Sequence, residues 1–119
     1  MTQDNVSISE AVDHTVICQY RPRAGAVDEF MELVRDHRRV LTELGLVTPG
    51  PEVVYVGEDQ DESGPLIISI FQWLEAEGSR RASEHPQVGV IWERMETLVE
   101  DRPMGPGMAF PHFSTKEML

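Results

Sequence analysis

Leu66-Ile67-Ile68-Ser69-Ile70-Phe71-Gln72-Trp73-Leu74 is the stretch on which the fold turns. It is rich in β-branched and aromatic residues and contains neither glycine nor proline, so it reads as a strand. Side chains alternate along a strand, which puts Leu66, Ile68, Ile70 and Leu74 on one face and Ile67, Ser69, Phe71 and Trp73 on the other. Both faces are apolar and both call for cover, as in a central strand packed on two sides.

Working outward, Glu58–Pro65 is an acidic hairpin loop ending in Ser-Gly-Pro, and Glu52–Gly57 before it is a second strand, antiparallel to the first. Pro49-Gly50-Pro51 separates this hairpin from an earlier unit. In that unit Thr15–Tyr20 is a strand, Arg21–Gly25 breaks the chain, and Ala26–Leu44 is an amphipathic helix. Its apolar stripe runs through Val27, Phe30, Met31, Val34, Leu41 and Leu44 at three- and four-residue spacing. Asp28 and Glu29 in the first turn suit the helix dipole, and Gly45 is the stop. On the other side, Ala76–Glu84 is a short polar helical segment and Pro86 opens a second helix. Val88, Ile91, Trp92, Met95, Leu98 and Val99 form that helix's stripe. Met108–Ser114 is the last strand, and Pro111 inside it argues for an edge position. Residues 1–12 read as a loose tail, leaving 13–119 as a single domain.

The order β-α-β-β-α-β predicts an α+β, ferredoxin-like fold: a four-stranded antiparallel sheet with both helices on one face. The first and third strands would be central and the fourth an edge. The uncovered face is expected to carry Phe71 and Trp73, with Val16 or Ile17 and Tyr55. An apolar patch of that size calls for a partner, and the simplest is a second copy. The expectation is therefore a homodimer whose facing sheets enclose a barrel-like core, with a small-molecule pocket between them.

Composition narrows the partners. The 119 residues carry a formal net charge of -11, which repels phosphate backbones and anionic membranes, so neither nucleic acid nor a membrane is an expected partner. Apolar residues make up 40% of the chain, with no run of membrane-spanning length. The polar start lacks the pattern of a secretion signal, which makes the cytoplasm the expected location. Cys18 is the only cysteine, leaving no internal disulfide and no cysteine metal cluster.

Three markers resemble one family. They are Gln19-Tyr20-Arg21-Pro22-Arg23-Ala24-Gly25 leading into a helix, Phe71-Gln72-Trp73 before a polar helix, and Glu84-His85-Pro86 opening the second half of helix two. The chain resembles the dimeric α+β barrel proteins of the antibiotic-biosynthesis-monooxygenase-like type over residues 14–114. The resemblance implies that Trp73 points into a cavity. The helix histidine of many members falls at Ser83, with His85 two residues later. The strand-one asparagine of the haem-degrading branch falls near Cys18, which cannot make the same hydrogen bonds.

Among individual residues, Phe71 and Trp73 could stack on a flat organic ligand; the aromatic enrichment of interface cores favours packing between two copies instead. Tyr20 and Tyr55 could offer hydroxyls to the same ligand. His85 and His112 are the candidate acid–base residues, His112 because a strand could aim it inward. His85 also reads as a cap or surface residue, and His112 as a hydrogen-bonded structural one. His14 opens strand one and His37 lies at the edge of the helix-one stripe. None of the four histidines has a neighbour at metal-ligand spacing, so no metal is expected. Cys18 reads as a small buried hydrophobe. The run Asp59–Gly64 copies half of a calcium loop but places Ile70 where the final glutamate belongs, so it reads as a solvated hairpin tip. Trp92 reads as core, with about 3–5 kcal/mol lost on its replacement by alanine.

Two functions stay open. One is a cofactor-free monooxygenase acting on an aromatic or polyketide-like substrate, with Phe71 and Trp73 as the wall and His85 or His112 as the base. The alternative is a non-catalytic dimer that binds a ligand or partner. The haem-degrading reading ranks third for want of its markers. An open cavity containing a histidine would favour the enzyme, and a filled interface the binding protein.

Overall fold

The computed structural model describes residues 14–50 and 52–111. The expected tail at residues 1–12, His112 and the end of the last strand lie outside them. The elements are β1 (Thr15–Tyr20), α1 (Val27–Glu43), β2 (Val53–Glu58), β3 (Pro65–Gln72), α2 (Gly78–Ser83), α3 (Pro86–Leu98) and β4 (Met108–Ala109). The strands form one sheet in the order β2-β3-β1-β4, every pair antiparallel. β1 and β3 are central and β4 is an edge, as the βαββαβ order requires.

Helix α1 stops as its sequence dictates. Gly45 takes φ 71°, a left-handed conformation that glycine adopts without penalty. Its N–H donates to the Thr42 carbonyl at 3.0 Å, and the Leu46 N–H donates to the Leu41 carbonyl at 3.0 Å. This pair of bonds is a Schellman motif, and the buried Leu46 supplies its usual apolar contact. Pro86 occupies the first turn of α3, where its missing donor costs nothing.

The strand register reverses one expectation. Phe71 and Trp73 are 6% and 9% exposed and face the helices, not a second sheet. Ile67 and Ser69 are buried with them, and Val16, Cys18 and Tyr20 share that inner face through the Val16–Phe71, Cys18–Ser69 and Tyr20–Ile67 pairs. The uncovered face carries Ile17, Tyr55, Leu66, Ile68 and Ile70 instead, linked by the Ile17–Ile70 and Tyr55–Ile68 pairs. The period of two fixes which residues travel together. It is silent on which set the helices take when both are apolar. Ser69, the one polar residue on that face of β3, is 1% exposed, and its hydroxyl is satisfied by the Glu52 carboxylate.

The core between sheet and helices centres on Phe30, Leu41, Ile67, Val88 and Met95. At one end two buried arginines pin the loops. Arg102 donates to the Pro65 and Pro22 carbonyls at 2.8 and 2.7 Å. Arg21 donates to the Pro106 carbonyl at 2.9 Å and lies 3.5 Å from the Glu62 carboxylate. Glu62 is therefore folded inward, and the acidic hairpin loop is only partly the solvated tip that its composition suggests. Its other oxygen accepts from the Met104 N–H at 3.0 Å, tying the hairpin to the segment before β4.

Candidate functional site

A cavity of about 460 Å³ lies between the inner face of the sheet and the helices. It belongs to one chain, whereas the sequence suggested a space between two sheets. Val16, Cys18 and Tyr20 of β1, with Phe71 and Trp73 at the end of β3, form its floor. His37 of α1 and Trp92 and Glu96 of α3 close it from above. Ala76 and Ser79 wall the end near α2, and Met108, Phe110 and Pro111 wall it near β4. Its volume suits a small organic molecule.

The aromatic rings meet edge to face. Phe71 and Trp73 have centroids 5.1 Å apart at 77°, and Tyr20 and Phe110 lie 6.1 Å apart at 80°. Such edge contacts leave ring faces free to pack against a planar ligand. Trp73 is held through its backbone, where its N–H donates to the His14 carbonyl at 3.0 Å and it bridges to Val47.

One imidazole at the cavity comes from a residue that the sequence placed only at the edge of the helix-one stripe. His37 is 5% exposed and sits three residues after Val34 and four before Leu41, on the buried stripe of α1. The Trp92 indole N–H donates to its Nε2 at 3.0 Å. An indole N–H can only donate, so Nε2 is the unprotonated nitrogen and the ring is neutral. Burial lowers the His37 pKa to about 4, because the charged form would lose its hydration. The spacing Phe30-Val34-His37-Leu41 was the available signal: a titratable residue at a core position of an amphipathic helix. Trp92 is only half-buried, because it borders the cavity and is not enclosed in the core.

The remaining candidates separate. Tyr20 lies in the cavity floor, 3% exposed, and Cys18 lies beside it. Burial pushes the Cys18 thiol up to about 12 and raises the Tyr20 hydroxyl well above its usual range, so both stay protonated at neutral pH. Tyr55 is 62% exposed on the opposite face of the sheet. His85 caps α3 through its backbone carbonyl, which accepts from the Val88 and Gly89 N–H groups at 3.0 and 3.1 Å. Its ring is half-buried and is not among the residues lining the cavity. His14, at the start of β1, does line it. Among the described residues no group of three or more histidine, cysteine, aspartate or glutamate side chains is placed to hold a metal ion.

No family model matches the sequence, and no curated protein matches it. Solved structures do match the fold. A point mutant of SnoaB, a cofactor-independent oxygenase from Streptomyces nogalater, is 18% identical with a TM-score of 0.58, over 88% of this chain and 94% of that one. A dimeric ferredoxin-like protein of unknown function from a Jannaschia species is 14% identical with a TM-score of 0.55, over 82% and 93%. A NIPSNAP family protein from Agrobacterium tumefaciens is 16% identical with a TM-score of 0.55, over 94% and 95%. At these identities the likeness is one of fold. The chain has a ferredoxin-like α+β fold.

Proposed function

We propose that the protein binds a flat, largely apolar organic molecule in the cavity between sheet and helices and oxygenates it without a cofactor. The observation that carries this reading is the aromatic-walled cavity with the His37 imidazole at its border. Oxygen attacks an electron-rich carbanion directly, so the protein needs to bind a carbon acid, accept its proton and exclude water. A substrate methylene loses a proton to an imidazole. The resulting enolate gives electrons to dioxygen, one oxygen atom becomes a carbonyl on the former methylene, and the other leaves as water. For His37 to accept the proton, Nε2 must exchange the Trp92 hydrogen bond for it. His112, which follows the cavity-lining Pro111 in sequence, is the second candidate base. Tyr20, Phe71 and Trp73 are the proposed ligand-binding residues.

A binding protein without chemistry is the other reading, and one observation favours it: the basic nitrogen of His37 is already occupied by Trp92. Anthrone, a planar tricyclic ketone with an acidic methylene, separates the two. The enzyme reading expects equimolar dioxygen uptake and anthraquinone formation in the presence of a chelator, well above the rate in buffer. Loss of that activity in His37→Ala or His112→Ala would identify the base. Saturable binding with turnover no faster than in buffer would leave the binding protein.

The protein is further proposed to act as a homodimer. Ile17, Tyr55, Ile68 and Ile70 form an apolar strip on the uncovered face, and a protein of the same fold is described as dimeric.

A further inference from the structure

We propose that Gly78 determines which ligands the cavity accepts, by letting the Trp73 indole lie back from the cavity; this rests on the cavity being the ligand site. Gly78 is buried at the first position of α2. A Cβ added there would stand 2.6 Å from both Cγ and Cδ2 of Trp73 and 2.7 Å from its Cβ, well inside van der Waals contact. The backbone does not explain the glycine, because Gly78 is not among the residues with positive φ. The indole explains it, since Cγ and Cδ2 of Trp73 take up the room that a side chain at 78 would need.

The atoms that meet Gly78 lie at the root of the tryptophan side chain, where small rotations cannot clear a methyl group. The Trp73 backbone is also fixed. Its N–H bonds to the His14 carbonyl at 3.0 Å, and the next N–H, of Leu74, bonds to the Leu46 carbonyl at 2.9 Å. Phe71 stands edge-on beside the ring at 5.1 Å. The open space next to the indole is the cavity that Trp73 lines. A side chain at position 78 therefore pushes the tryptophan from its root, Cβ included, toward that space and narrows it. Glycine keeps the cavity wide enough for a fused tricyclic ligand, while a narrowed cavity still admits a bicyclic one.

The experiment compares wild type, Gly78→Ala, Trp73→Ala and the double variant, using anthrone and the smaller ketone 1-indanone as probes in equilibrium dialysis. Gly78→Ala is expected to weaken anthrone at least tenfold and to change 1-indanone less than twofold. The double variant, which loses the Cγ and Cδ2 contacts and the indole that would narrow the cavity, is expected to regain anthrone to the level of Trp73→Ala. Equal weakening of both probes, or no recovery in the double variant, would overturn the proposal in favour of a purely structural glycine. A crystal structure of Gly78→Ala decides without any ligand. A rotated indole with a smaller cavity supports the proposal; an unmoved indole with α2 displaced overturns it. Failure of the wild type to bind either probe would count against the ligand site itself, and the crystal structure would still decide the role of Gly78.

Discussion

The Trp92 indole nitrogen stands 3.0 Å from Nε2 of His37 and joins α3 to α1 at the border of the cavity. Burial keeps the imidazole neutral there, because its charged form would be poorly solvated. The protonation state of this ring is therefore tied to the stability of the fold.

That tie gives a pH dependence with a definite sign. The His37 pKa is lowered from 6.5 to about 4 in the folded state, so the unfolded chain binds the extra proton first as pH falls. Stability is fully present above pH 6.5 and declines as pH drops toward about 4, with no further loss from this group below that. At about 1.4 kcal/mol per pH unit, the decline amounts to about 3 kcal/mol. Glu52 acts in the opposite direction, since burial raises its pKa. Urea unfolding from pH 7 to pH 4 checks the slope. It should flatten in His37→Gln, and an unchanged slope in that variant would assign the effect elsewhere.

Trp73→Ala should destabilise the fold by about 3 kcal/mol, the low end for a buried tryptophan because one side of the ring already borders a cavity. Since the ring faces the helices, the variant should keep its oligomeric state. Chemical denaturation alongside light scattering checks both, and dissociation would place the ring at an interface.

Ile68→Asp addresses the opposite face. A carboxylate in the middle of the strip formed by Ile17, Tyr55 and Ile70 should convert a dimer to a monomer, with little change in the cavity. A wild-type monomer at micromolar concentration would remove the dimer proposal, as would an unaffected dimer of the variant.

Cys18 is 2% exposed and its thiol is pushed up to about 12, so iodoacetamide at pH 8 should leave it unmodified in the native protein and alkylate it in denaturant. Mass spectrometry reads the adduct. Rapid native modification would mean that the cavity floor opens to solvent. A ligand that protects Cys18 during partial denaturation would independently place that ligand against β1.

Much of the architecture was legible in the chain itself. β1 and the extents of both long helices follow from local alternation, helical spacing and the Gly45 and Pro86 signals, all of which act between near neighbours in sequence. The order of elements then leaves few sheet topologies. The facing of β3 was not legible. Leu66, Ile68 and Ile70 match Ile67 and Phe71 in hydrophobicity, and only packing against α1 and α3 decides between them. The burial of Ser69 was not legible either, because its partner Glu52 is 17 residues away in sequence. The site depended on tertiary structure most of all. His37 and Trp92 are 55 residues apart, and their hydrogen bond, the lowered pKa and the cavity beside them exist only once two helices are laid on one sheet. Local sequence sets backbone conformation through near-neighbour forces, whereas a cavity and its electrostatics arise from desolvation by distant parts of the chain.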